Sequence, residues 1–184
     1  MQRRYAASIG DYMKLGILGA LSPGHRLGVT WWRYADESHN KDGRPIGYLG
    51  QSDQWRHFDP DLLDALGQIV SSGQRDIRVL EAANILAGAV FASDVIPTGG
   101  SIMRRPQARH EWFETVQRTL HEADLVFVDP NNGLDSGAAT NRSAMVSRIY
   151  RGWARSTPRL SQGQLRFCKC RLRRPAQVGL MDKR

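Results

Sequence analysis

The run Asp124-Leu-Val-Phe-Val-Asp-Pro130 constrains the fold most. It is apolar from Leu125 to Val128 without a polar residue between. A strand with one wet face alternates apolar and polar residues, whereas one that is apolar throughout is covered on both faces. Covering both faces takes helices above and below, the arrangement of a largely parallel sheet. The chain supplies such helices. Residues 59–73 open on Asp59, a good N-cap, with Pro60 at the first helical position. They set Leu62, Leu63, Leu66, Ile69 and Val70 on one face and close on Gly73. Residues 107–123 group Trp112, Phe113, Val116 and Leu120 on one side. Residues 10–21 predict a shorter helix with Tyr12, Met13, Leu15, Ile17, Leu18 and Leu21 as its apolar residues, capped by Gly10–Asp11 and weakened by Gly16 and Gly19.

The stretches 26–32 and 89–96, β-branched and aromatic, predict strands, while 76–86 suits a helix or a strand running into a turn. Residues 33–50 read as a long polar loop and 97–106 as another. Helices alternating with apolar strands predict an α/β, Rossmann-like domain with a mostly parallel sheet over residues 1–134.

Charge divides the chain at the same place. Residues 1–134 hold 14 Lys/Arg against 16 Asp/Glu, a balance of −2, and residues 135–184 hold 12 against 2, a balance of +10. The overall +8 therefore describes a basic tail on a mildly acidic body. No stretch reaches the ~20 apolar residues of a membrane span, and residues 1–16 contain no apolar core of a signal peptide. The two cysteines, Cys168 and Cys170, are too close in sequence to form a framework disulfide. The expectation is a reducing, cytoplasmic setting without membrane contact.

Ligands of open α/β sheets sit beyond the carboxyl ends of the strands. Asp129-Pro-Asn-Asn-Gly133 lies at such an end. Asp129 supplies a carboxylate able to act as a general base or to bind a cation. Asn131 and Asn132 bring amides that orient a ligand, and Gly133 permits its close approach. Pro130 offers no N–H, so the Asp129 carbonyl is expected to be left free of a tight continuation. The same residues also make good turn chemistry.

Asp36 and Glu37, with His39, Asn40 and Asp42, form an acidic stretch that reads as a loop and is expected to lie opposite that strand end. With Asp129 and Asn131 they could assemble an oxygen-rich Mg²⁺ or Mn²⁺ site of nuclease or phosphodiesterase type, or contact a cofactor together with Gly133. The bland alternative is a solvated loop. Asp11 and Lys14, one helical turn apart, fit an intrahelical ion pair or a contact to ligand phosphate. His57, His110 and His121 read as surface residues, and the chain contains no Gly-x-Ser-x-Gly, P-loop or tight His pair.

Asp129-Pro130 after an apolar strand resembles motif IV of amino-group methyltransferases, Asp/Asn-Pro-Pro-aromatic. Asn131 and Asn132 stand where that pattern has proline and the aromatic. The segment after Trp32, RYADES, lacks the glycine-rich loop that would hold S-adenosylmethionine. The resemblance implies a methyltransferase-like scaffold without a recognisable cofactor loop. The series GDYMK, DES, KDG and DPNNGL, spread over residues 5–134, also resembles an uncharacterised bacterial and prophage-type protein family. That family brings no known activity, and its chains continue past the Asp-Pro motif with more α/β material.

The tail admits three readings. Arg148, Arg151, Arg155, Arg171, Arg173 and Arg174, with Trp153, could bind nucleic acid by phosphate pairing and base stacking. Its composition also fits disorder. Arg-, Ser- and Pro-rich text is further what an out-of-frame end of a GC-rich gene yields, leaving the sheet truncated. Three functional expectations follow: an enzyme acting on nucleic acid or a nucleotide at the strand end, a non-enzymatic nucleic-acid binder, or an inactive truncated relative.

Overall fold

The computed structural model describes residues 3–36 and 45–129. The elements are α1 (Ile9–Leu21), β1 (Leu27–Trp31), α2 (Ser52–Trp55), α3 (Pro60–Ser71), α4 (Ile77–Ala82), β2 (Val90–Ala92), α5 (Arg105–Thr119) and β3 (Leu125–Asp129). The fold is α/β. All three strands are parallel, in the order β2-β1-β3. Leu27 pairs with Leu125 and Trp31 with Asp129, so β1 and β3 end level.

This order dictates the layers. The chain leaves β1 for β2 on one side, then crosses back over β1 to reach β3. Parallel crossovers are right-handed, so two connections running in opposite directions must lie on opposite faces. They do. Leu27, Val29 and Trp31 with Leu125 and Phe127 pack against α1, α3 and α4. Val126, Ala92 and Trp32 pack against Trp112, Phe113, Val116 and Leu120 of α5 and its end. β3 is buried on both faces, with Leu125, Val126 and Phe127 at 5%, 1% and 3% exposure, as its unbroken apolar run requires.

Local chemistry sets the ends of these elements. Asp59 caps α3, its Oδ1 accepting from the Leu62 N–H at 3.0 Å. Asp76 caps α4 in the same way through the Arg78 N–H at 2.9 Å, which resolves the ambiguity of residues 76–86 in favour of a helix. The helix over 10–21 begins one residue earlier than its pattern suggests. Its cap position is Ser8, and Asp11 lies inside the first turn. β2 is only three residues long, although an isolated Arg33–Val95 bridge carries the β1–β2 pairing further. Gly28 is required by packing: a Cβ there would stand 2.8 Å from the Ala123 Cβ and 3.1 Å from Leu120.

Candidate functional site

α1 runs antiparallel to β1, so its first turns lie beside the carboxyl edge of the sheet. There Lys14 reaches the end of β3. Its Nζ donates to Asp129 Oδ2 at 3.0 Å and to Asp11 Oδ1 at 3.4 Å. The place is significant. Connections diverge to opposite faces on either side of β1, and doubly wound sheets bind their ligands beyond the strand ends at such a switch in strand order.

The three charges are not equally exposed. The Lys14 and Asp129 side chains keep 16% and 19% of their surface, while that of Asp11 keeps 1%. Asp11 thus lies beneath the other two. Its Oδ2 is buried and has no hydrogen-bond partner among the described residues. Burial pushes the Asp11 carboxyl up to about 6. The Lys14 charge opposes this, the Asp129 charge adds to it, and hydrogen bonds from Lys14 and the Ser8 backbone oppose it. Burial by itself would lower the Lys14 ammonium, but the Asp129 and Asp11 charges more than offset it and hold Lys14 above its ordinary value. Lys14 is therefore a fixed cation, and Asp11 is the group poised to titrate near neutrality.

The turn before α1 is held tightly. Tyr48 Oη donates to the Ala7 carbonyl at 3.2 Å and Arg75 Nε to the Ala6 carbonyl at 2.9 Å. Ala7 takes φ 60°, a left-handed conformation that costs a non-glycine residue of order 1 kcal/mol or more and persists only where its surroundings enforce it. Tyr12, Tyr48 and Trp55 pack ring to ring at 5.5–6.0 Å behind this turn. Burial raises the Tyr48 phenol, with the nearby Asp11 charge adding to the effect.

The residues expected from sequence divide into three groups. Asp129 stands at the strand end as expected, and joins Asp11 and Lys14, which were read as an intrahelical pair. Its carbonyl is not free, however. β1 runs level with β3, and the Trp32 N–H reaches that oxygen at 3.3 Å, so the missing N–H of Pro130 does not decide the matter. Asp36 goes elsewhere. It accepts from the Arg3 N–H at 2.8 Å, and Arg3 also pairs with Asp76 at 2.6 Å. Glu37, His39, Asn40, Asp42, Asn131, Asn132, Gly133 and the tail residues Arg148, Arg151, Trp153, Arg155, Arg171, Arg173 and Arg174 lie outside the described residues.

His57, His110 and His121 are exposed. Among the described residues no group of three or more His, Cys, Asp or Glu is placed to hold a metal ion, and no helix is long and apolar enough to cross a membrane. The contributions of Tyr48 and Arg75 are invisible in the sequence, because they come from separate elements. Asp11 had a signal: Ser8-Ile-Gly-Asp11 has the spacing of a capping box, which places an acid inside the first turn.

Comparison with known proteins finds no matching family, no similar curated protein and no similar solved structure.

Proposed function

We propose that this domain is an enzyme acting on a nucleotide or a nucleic acid, with its chemistry at the carboxyl ends of β1 and β3. The observation that carries the reading is the Lys14–Asp129 pair, which joins residues 115 apart at the strand-order switch above a buried carboxylate. An ammonium has three protons. Asp129 and Asp11 take two, which leaves one for a ligand phosphate. Asp129 has a second oxygen to accept from a hydroxyl or amino group of the ligand, as a general base or an orienting group. Asp11 holds Lys14 from below.

A thermal-shift screen tests this. ATP, GTP, S-adenosylmethionine, inorganic phosphate, a short DNA duplex and a short oligonucleotide are each added with and without Mg²⁺ or Mn²⁺. A ligand that binds only the folded state raises Tm by mass action. The expected result is a Tm rise with at least one nucleotide or nucleic acid in the wild type, lost in Asp129→Asn and in Lys14→Met. A cooperative melt unmoved by every compound, or a shift that both variants retain, would overturn the reading.

A further inference from the structure

Two carboxylates, Asp129 and Asp11, share one ammonium, that of Lys14, at 3.0 and 3.4 Å. A ligand phosphate on Lys14 sets a third anion around the same cation. Water can solvate two of the three. The phosphate arrives from solution, and the Asp129 side chain keeps 19% of its surface. Asp11 has no such outlet. It is 0% exposed, and its buried Oδ2 has no hydrogen-bond partner among the described residues. A buried charge that loses its share of a counterion is neutralised by a change of protonation rather than kept.

The other groups around Asp11 do not take that proton in its place. Lys14, on the same helix, already carries its own and is held above its ordinary value by the two carboxylates, against the effect of burial. Tyr48, from the turn over residues 47–50, is a neutral phenol that burial raises further, and Tyr12 beside Asp11 is raised in the same way. Arg75, ahead of α4, is a guanidinium and keeps its charge. Asp129, from β3, is the carboxylate open to water. Building on the reading of Lys14 as a phosphate contact, we propose that ligand binding takes up one proton from solution onto Asp11, so that the site holds its phosphate ligand more tightly as pH falls. The bond formed is O–H on the buried carboxylate, and the solvent supplies the proton. In the free protein burial already raises this carboxyl to about 6, and a further anion moves it the same way. Above about 6 the bound state therefore holds a proton that the free state lacks, and affinity falls as pH rises. Below it both states hold the proton, and the dependence levels off.

The test uses the full chain and ATP without divalent cations. Calorimetric titration at pH 7 in buffers of different ionisation enthalpy counts the protons taken up. The ATP phosphates titrate too, but equally against wild type and Asp11→Asn, so the difference isolates Asp11. Wild type is expected to take up roughly one proton more than Asp11→Asn, and its affinity to fall up to about tenfold more per pH unit between about pH 6 and 8. The Asp11 carboxyl carbon, assigned by NMR through its bonds to the backbone, gives a readout that needs no Asp11 variant. ATP should move it to its protonated position in wild type at pH 7, and Lys14→Met should place it there without ligand. Saturable ATP binding with equal proton uptake in both proteins would overturn this proposal and leave the site reading standing. Absence of ATP binding would overturn both. An Asp11 carbon that keeps its ionised position in folded Lys14→Met would overturn the proposal whatever the ligand.

Discussion

Replacing Asp11 by Asn isolates the energetics of the buried carboxylate. The folded protein holds this group at about 6 against an ordinary 3.8, chiefly through burial. At about 1.4 kcal/mol per pH unit, that difference amounts to about 3 kcal/mol. The residue is 0% exposed, so solvent screening does not reduce the figure. Its sign follows from linkage. A carboxyl raised on folding binds its proton more tightly in the native state, so its stabilisation is complete below pH 3.8 and is lost as pH rises through about 6. Wild type therefore carries the penalty at pH 7 and Asp11→Asn does not.

Any fixed cost of the substitution, from packing or from the altered bond to Lys14, is nearly constant with pH. Glu81 and Asp76, whose carboxyls are respectively raised and lowered by their surroundings, are present in both proteins and cancel. The quantity to measure is the stability of Asp11→Asn minus that of wild type, from urea unfolding at pH 4 and pH 7.5. It should move in favour of the variant by about 2 kcal/mol across that interval, since at pH 4 part of the full difference is already lost. A flat difference would refute the reasoning. A difference moving the other way would show that the attraction of Lys14 outweighs burial, so that Asp11 is charged throughout.

Three further perturbations follow. Lys14→Met leaves two carboxylates without their shared cation and should cost about 3 kcal/mol at pH 7, with Asp11→Asn/Lys14→Met less destabilised than Lys14→Met alone, as a double-mutant cycle by urea unfolding would register. Gly28→Ala drives a methyl into Ala123 and Leu120 and should cost about 1–3 kcal/mol by overpacking, partly recovered by Ala123→Gly in thermal or urea melts. Asp59→Ala removes the acceptor of the Leu62 N–H and should cost about 1 kcal/mol of α3 stability, seen as an earlier melt with unchanged near-UV dichroism before the transition.

Parts of this molecule were written locally. The Asp59-Pro60 start, the Leu62–Ile69 face and Gly73 at φ 72° specify α3 through its own residues, and the unalternating 125–128 run specifies a strand buried on both sides. α4 was ambiguous because six residues carry too little periodicity to separate helix from strand, and the decision falls to the Asp76 cap. The strand order was not legible, since it depends on which side of β1 each crossover takes. The site was half legible. Asp129 follows from its place at a strand end, and Asp11 and Lys14 from their spacing. Their meeting with Asp129 requires α1 to lie antiparallel to β1, a tertiary fact with no local signature. Asp36 failed to join them because Arg3, 33 residues upstream, holds it beside the α4 cap.

The central claim is that the ammonium between Asp129 and Asp11 meets a ligand phosphate. The most direct measurement is the Lys14 side-chain ammonium NMR signal, assigned through Lys14→Met and titrated with ATP with and without Mg²⁺. The account predicts a saturable shift of that signal, abolished in Asp129→Asn. An unmoved Lys14 signal at ATP concentrations that shift resonances elsewhere, or throughout a titration that shifts none, would contradict it.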